Sequence, residues 1–544
     1  MAERVDVVIV GSGFGGAIAA YRLAELFHAA GRDPSGIVVL ERGERMGHTD
    51  FKQSMHIDHL SRVYNLIQGQ GAQIVTANGV GGGSNLYLAA SLRAPSETFE
   101  RHDRRPGDGP RRRMWPSAIS RSSLDPFYAM AEQALRVSRP SWDQVSKSGG
   151  LWAATLAAAG HTCDRVPLAI SPERCVDAKW CHTGCIFGAK NSLITNYLPA
   201  AEALGVRVLP GHEAQVVRQT SARPWRYVVT TTPQGSLPVE LECKALVLAC
   251  GAMATPPLLM RSRLLLPSLS SQVGRHLGVN GDHVAAVEYD PQKVRDVLGL
   301  PGYGAFHKGR PITTMTYDFW RGRDGERFTL QEIFLSTLTN FLYDDGREPA
   351  GEPSWWGLQK KQAVARWSDR IELLAMVEDT NDGEFLPLQL SGDGIRPNDG
   401  PLTIGTFRYE LSEQSRRVRA AADAAIKHVA ERNGLGRFMK LTETDGAYAA
   451  HPLGGCRMAE SGDLGVVDHA GRVFGYEGLL CVDSSIVPTS LGVNPSLTIA
   501  ALAERCAAGL VEDAAGLGLP AKPKGFGPGV PEETVGERVL PAAG

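Results

Sequence analysis

The chain lacks a charge of one sign. Its 57 basic and 59 acidic side chains leave a formal net charge of −2, so no global field recruits nucleic acid or an anionic membrane, and a small, largely uncharged substrate is expected. It also lacks any apolar run approaching the length of a membrane span, and the N-terminus enters a strand-like segment with no signal-like stretch before it. A cytoplasmic protein is expected, and contact with a membrane is not. Cysteine is not scarce, but it is unpaired in pattern. Nine cysteines without a secretory signal read as reduced thiols. Cys175, Cys181 and Cys185, with His182 between them, fall at x5 and then x3 spacing. That is neither the paired C-x-x-C of a zinc site nor an iron–sulfur pattern, so a packed, thiol-lined loop is expected and no metal.

What is present begins at once. Val5 to Val10 is a short apolar run, and Gly11, Gly13 and Gly16 follow at G-x-G-x-x-G spacing where a helix should open. A buried strand running through a glycine turn into a helix aims bare N–H groups and the positive end of a helix dipole at one spot, which suits a pyrophosphate. Ile18, Leu23, Leu26 and Phe27 recur at helical intervals, and Gly31 with Asp33-Pro34 stops the helix. A second apolar run, Ile37 to Leu40, delivers Glu41, an acid placed to accept hydrogen bonds from a ribose diol. This order indicates dinucleotide binding without separating NAD from FAD.

Gly79-Val-Gly-Gly-Gly-Ser84 is a second glycine cluster, too glycine-rich for a regular helix or strand, and its apolar neighbours point to close contact with the cofactor. Arg101 to Arg113 reads as a solvated excursion, and Phe127, Met130, Ala131 and Ala134 as one face of a helix. Strands are expected at Arg207–Leu209, Ala214–Val217, Arg226–Thr231 and Leu246–Ala249, and again at Thr313–Tyr317, Glu332–Leu335 and Ile371–Val377. A helix follows with Val418, Ala421, Ala425 and Val429 on one face and Gly434 as its stop. The tail from Ala514 is rich in glycine and proline and should wrap the surface or stay mobile.

His451-Pro-Leu-Gly-Gly-Cys-Arg457, Gly471 to Asp483, Ser484-Ser-Ile-Val-Pro488, Gly492-Val-Asn-Pro-Ser-Leu-Thr-Ile499 and Ala503-Glu-Arg505, taken with the N-terminal glycines, resemble the glucose–methanol–choline (GMC) flavoprotein oxidoreductases, nearest to their cholesterol oxidase branch. Val80 to Ser84, Trp115-Pro116, Cys185 to Ser192 and Ala249 to Pro256 extend the likeness in order along the chain. The resemblance implies an α/β fold: a Rossmann-like FAD-binding domain from residues 1–95, 196–282 and 445–513, an inserted and mainly antiparallel β (α+β) substrate-binding cap from 96–195 and 283–444, and a tail from 514–544. It implies FAD held by Gly11, Gly13, Phe14, Gly16, Glu41, Gly81, Gly82, Ser84, Asn85, Val216, Gly251, Asp483, Asn494 and Pro495. Tyr87-Leu-Ala stands where many steroid oxidases of the family carry Asn-Gly-Gly, and no histidine near Gly81–Ser91 suits a covalent histidyl-flavin.

Alcohol oxidation requires a hydride acceptor, a base and a group to hold the hydroxyl. Histidine suits the base because it titrates near neutral pH, and the resemblance puts His451 at that position, with Asn494 sharing the hydroxyl and setting the carbinol C–H over flavin N5. The expectation is oxidation of a secondary alcohol on an apolar, steroid- or terpenoid-like molecule to a ketone, with oxygen or another electron acceptor. A dehydrogenase of a sugar or simple alcohol, a redox-neutral flavoprotein lyase or isomerase, and a nucleotide-binding protein without catalysis are the rivals. Glu332, Glu372 and Glu378 are carboxylates of the insert without an assigned role, Arg321 reads as a surface charge, and Phe341, Tyr343, Trp355 and Trp356 as a lid or core.

Overall fold

The computed structural model describes residues 2–103, 112–299, 310–322, 325–333, 361, 369–386, 407–432, 434–441 and 447–531. Two sheets organise them. The first runs, edge to edge, Arg207–Leu209, Ile37–Leu40, Glu3–Val10, Val239–Leu248, Tyr227–Pro233 and His212–Gln219, with Leu479–Cys481 also paired to the far end of Val239–Leu248. The strands at its centre are parallel, and the two at the edge are antiparallel. Parallel strands covered on both faces need apolar side chains at every position rather than at alternate ones, and Val7–Val10 and Ile37–Leu40 are buried throughout.

The helix Phe14–Ala29 packs on this sheet and against the helix Ser496–Asp513. Both helices of this interface carry buried alanines, Ala17, Ala20 and Ala24 on one and Ala500, Ala503 and Ala507 on the other. A buried ion pair crosses it: Arg22 Nε donates to Glu504 Oε2 at 2.6 Å, and Tyr197 Oη donates to Glu504 Oε1 at 2.6 Å. Charges removed from water need such saturation, and breaking one partner of a buried pair costs about 3–5 kcal/mol. The tail straps the same helix, since Gly529 N donates to Glu25 and Gly529 O accepts from Arg22.

The second sheet is antiparallel: Gly436–Lys440, Asp282–Tyr289, Arg370–Val377, Phe328–Ile333, Thr314–Thr316 and Asp164–Arg165. The helices Glu413–Glu431 and Lys147–Ala158 supply its apolar cover through Val418, Ala422, Ile426, Leu151, Trp152 and Leu156. A smaller sheet joins the hairpin Tyr64–Gln68 and Ala72–Ala77 to Ala447–Ala449.

Several elements differ from expectation in register. The helix Arg121–Ala134 buries Leu124, Tyr128, Ala131 and Ala134, while Phe127 and Met130 stand half-exposed. The helix Glu413–Glu431 turns Ala422 and Ile426 inward and leaves Ala421 exposed. Alanine carries too little apolar contrast to fix which face is which. Val239–Leu248 begins seven residues before the expected Leu246, because its first half alternates apolar and charged residues, Val239-Glu-Leu-Glu-Cys243, instead of running apolar throughout. The insert strand expected at Glu332–Leu335 is centred earlier, at Phe328–Ile333, and residues 334–335 lie outside the described residues. Phe341, Tyr343, Trp355, Trp356 and residues 104–111 of the arginine-rich excursion also lie outside them. Among the described residues no helix is long and apolar enough to cross a membrane.

Candidate active site

The carboxyl ends of the first sheet's strands converge on two glycine loops. Gly11 turns the chain with φ +98°, and a Cβ on Gly16 would lie 1.9 Å from Gly11 O. Gly15 is equally constrained, 2.2 Å from Val482 O. A Cβ on Gly13, by contrast, would meet nothing within 4 Å. Gly13 opens the sixteen-residue helix beginning at Phe14 without any side-chain cap, and no acid stands in its first turn. Open space before uncapped N–H groups at the positive end of a helix fits an anionic phosphate.

The second loop leans on the first. Gly79, Gly81 and Gly82 all have positive φ, and a Cβ on Gly82 would lie 3.0 Å from Gly13 Cα. Ser12 ties them together. Its N and Oγ donate to Glu41 Oε2 at 3.2 and 2.6 Å, and its Oγ accepts from Gly81 N at 3.0 Å. Gly43 N donates to Glu41 Oε1 at 2.9 Å. Burial pushes the Glu41 carboxyl up, while the Ser12 and Gly43 hydrogen bonds pull it down. Ser84 Oγ donates to Gly81 O and accepts from Leu193 N, and Asn85 Nδ2 donates to Val80 O while its Oδ1 is buried without a partner. Phe14 meets Tyr87 edge to face at 5.8 Å between centroids.

Asp483, just past the strand Leu479–Cys481, plays the matching part on the other side. Its Oδ2 accepts from Gly251 N at 2.9 Å and Thr255 Oγ1 at 2.5 Å, and its Oδ1 accepts from Ser485 N at 2.7 Å. Burial raises its carboxyl against these hydrogen bonds. Val216 sits at the register shift in the edge strand His212–Gln219, which places it on the sheet's antiparallel side.

His451 and Asn494 lie on two loops that share a neighbour. Leu453 and Gly278 exchange backbone hydrogen bonds at 2.8 and 2.9 Å, and Asn280 grips the loop ahead of Asn494, its Nδ2 donating to Val493 O and its Oδ1 accepting from Leu491 N. His451 Nδ1 lies 2.9 Å from Asp282 Oδ1, and its side chain keeps 21% of its surface exposed. Asn494 is buried, its Oδ1 has no partner, and Pro495 caps the helix Ser496–Asp513 without a side-chain bond. Neither Asn280 nor Asp282 stood out in the sequence. The signal was the Asn-Gly-Asp turn before an apolar strand, which reads as punctuation until its side chains are placed.

The remaining candidates fall elsewhere. Glu332, Glu372 and Glu378 are fully buried within or beside the antiparallel sheet. Glu332 accepts from Ser146, Ser148 and Thr313, and burial pushes its carboxyl up to about 7. Arg321 is exposed. Cys175, Cys181 and Cys185 are free, and among the described residues no group of three His, Cys, Asp or Glu side chains is placed to hold a metal.

The sequence pattern of the GMC oxidoreductases matches residues 5–280 at the N-terminal side and 398–503 at the C-terminal side. The chain belongs to the GMC oxidoreductase family. It is an FAD-dependent enzyme of the class that oxidises alcohols, and the uncapped glycine-loop helix described above fits that cofactor. It is similar to a cholesterol oxidase of Mycobacterium tuberculosis (strain ATCC 25618 / H37Rv), 28% identical over 93% of this chain and 91% of that protein. It is similar to the long-chain-alcohol oxidase FAO4B of Arabidopsis thaliana, 24% identical over 91% of this chain and 66% of that one. Among solved structures the fold matches pyridoxine 4-oxidase from Mesorbium loti with TM-score 0.59 and 18% identity, covering 93% of this GMC chain and 99% of the other. Formate oxidase of Aspergillus oryzae matches at TM-score 0.59 and 13% identity, covering 95% and 99%.

Proposed function

We propose that the enzyme oxidises a secondary alcohol on an apolar, steroid- or terpenoid-like molecule to a ketone and passes the electrons to oxygen. The observation that carries this reading is the polar pair. A histidine whose Nδ1 is engaged by a carboxylate has its Nε2 free to accept a proton, and Asn494 keeps one amide end buried and open. An unpaired buried amide oxygen costs free energy that a bound hydroxyl restores. Rotating the amide by half a turn exchanges its ends without changing its shape, so the same opening presents Nδ2 to the alcohol oxygen. The hydroxyl then donates to His451 Nε2, which takes its proton. Bound FAD supplies the hydride acceptor. The relatives named as cholesterol oxidases support the steroid-like class.

The FAD-holding roles fall to Gly11, Gly13, Phe14 and Gly16 for the pyrophosphate side, Glu41 for the ribose, and Gly81, Gly82, Ser84, Asn85, Val216, Gly251, Asp483, Asn494 and Pro495 along the remaining length. Residues 1–95, 196–282 and 445–513 act as the FAD-binding domain, with 96–195 and 283–444 as a cap that roofs the substrate. Free thiols throughout suit a reducing compartment such as the cytoplasm. A second reading, a long-chain primary alcohol as substrate, is favoured by the named plant relative.

The test is the visible spectrum of the purified holoenzyme mixed anaerobically with a 3β-hydroxysteroid, then with 1-hexadecanol, and opened to air. Bleaching by the steroid and recovery in air is the expected result. Bleaching by hexadecanol alone transfers the assignment to the second reading, and a yellow protein that neither alcohol bleaches overturns both.

A further inference from the structure

We propose that Asn280 and Asp282 form a single positioning unit for the two halves of the alcohol-handling pair, a proposal that rests on the roles given above to His451 and Asn494. The unit is a tight turn. Asn280 and Gly281 both take left-handed backbone conformations, φ +55° and +71°, and a Cβ on Gly281 would lie 2.0 Å from Val377 O. Asparagine is among the few side chains that enter the left-handed region readily, and Asn280 is completely buried with both ends of its amide used.

Those two bonds clamp one loop. Asn280 Nδ2 donates to Val493 O at 2.9 Å and its Oδ1 accepts from Leu491 N at 2.7 Å, which fixes the backbone one residue before Asn494. The far side of the same loop is held by Thr329 Oγ1 donating to Gly492 O at 2.6 Å and by the Trp320 ring packed on Gly492. Two residues beyond Asn280, Asp282 opens a strand of the antiparallel sheet and turns its carboxylate to the other loop. It accepts from Ala450 N at 3.3 Å and meets His451 Nδ1 at 2.9 Å. A carboxylate accepts only, so the proton between them sits on Nδ1 and the lone pair on Nε2. The His451 ring is thereby held in the tautomer and orientation in which Nε2 faces a substrate proton. Three consecutive residues therefore set the spacing between base and hydroxyl holder, and in such pairs a displacement of about 1 Å costs on the order of 10²-fold in rate.

The test uses the holoenzyme with a 3β-hydroxysteroid and the variants Asp282→Asn, Asn280→Ala, His451→Ala and the double variant Asp282→Asn with His451→Ala. Asp282→Asn should lower the limiting rate of flavin reduction about 10²-fold with bound flavin and the steroid dissociation constant unchanged. In the His451→Ala background it should remove nothing further, because Asp282 works through that ring. Asn280→Ala should weaken binding of the ketone product about tenfold, read without turnover from the perturbed flavin absorbance. If Asp282→Asn does not fold, Asp282→Glu, which keeps the carboxylate but moves it, takes its place in the same cycle. Losses that add in the double variant, an Asp282→Asn protein that reduces flavin at the wild-type rate, or an Asn280→Ala protein that binds the ketone as tightly as the wild type overturns the positioning unit. A silent His451→Ala overturns instead the base assignment it rests on, and the ketone titration then judges Asn280 alone.

Discussion

Glu41 and Asp483 stand against His451 and Asn494 as two ways of setting polar side chains into this fold. The two acids are closed. Glu41 takes three hydrogen bonds from Ser12 and Gly43, and Asp483 takes three from Gly251, Thr255 and Ser485. The other two are open: Asn494 has a buried amide oxygen with no partner, and His451 keeps one ring nitrogen outside its pair with Asp282. Saturated groups repay their desolvation within the protein and hold loops in shape, whereas an unpaired buried group keeps part of that cost until a ligand arrives. Glu41 and Asp483 thus hold their loops by their own bonds, while Asn494, like Asn85 in the second glycine loop, keeps a buried amide oxygen without a partner.

That contrast breaks most severely at the glycine loops. Gly16→Ala places a methyl 1.9 Å from Gly11 O, so the helix must leave the strand. The expected cost is about 3 kcal/mol or more, seen as loss of flavin and a lowered thermal midpoint. A Gly16→Ala protein that retains stoichiometric FAD would show that the two loops are not as tightly set as described.

A smaller loss is expected at Glu41. Glu41→Gln keeps the shape but replaces one accepting oxygen with a donor that opposes Ser12 Oγ or Gly43 N. Flavin affinity should fall about tenfold, near 1.4 kcal/mol, measured by flavin release on dilution, with the rate of flavin reduction in the remaining holoenzyme unchanged. A change in that rate with affinity intact would move Glu41 from the closed group to the open one.

The smallest effect belongs to the antiparallel sheet, where Glu332 is closed by Ser146, Ser148 and Thr313. Burial raises its carboxyl from 4.5 to about 7, so the folded state binds a proton that the unfolded chain has released. Its contribution is fully present below pH 4.5 and lost as pH rises through about 7. Thermal midpoints should fall between pH 5 and pH 8 in the wild type and change less in Glu332→Gln. Equal slopes would remove Glu332 from the pH dependence.

Much of this was legible in the residues. Strand, glycines, helix, strand and Glu41 appear in order, and Val7–Val10 and Ile37–Leu40 are apolar at every position because both faces are covered. His451 and Asn494 were reachable through motifs surrounding them. Asn280 and Asp282 were not, since their meaning depends on loops 169 and 213 residues away in sequence. Gly15 was passed over for a similar reason: its constraint is Val482 O, a backbone atom far along the chain. Periodicity failed where alanine fills a helix face, as at Ala421 and Ala422, because a methyl group scarcely distinguishes inside from outside.

The most direct test of the central claim is the limiting rate of flavin reduction by a 3β-hydroxysteroid in His451→Ala against the wild type, with bound FAD measured in both. A fall of about 10²- to 10⁴-fold at unchanged FAD content is the predicted result. Reduction at the wild-type rate would contradict it and remove His451 from the proton-accepting role.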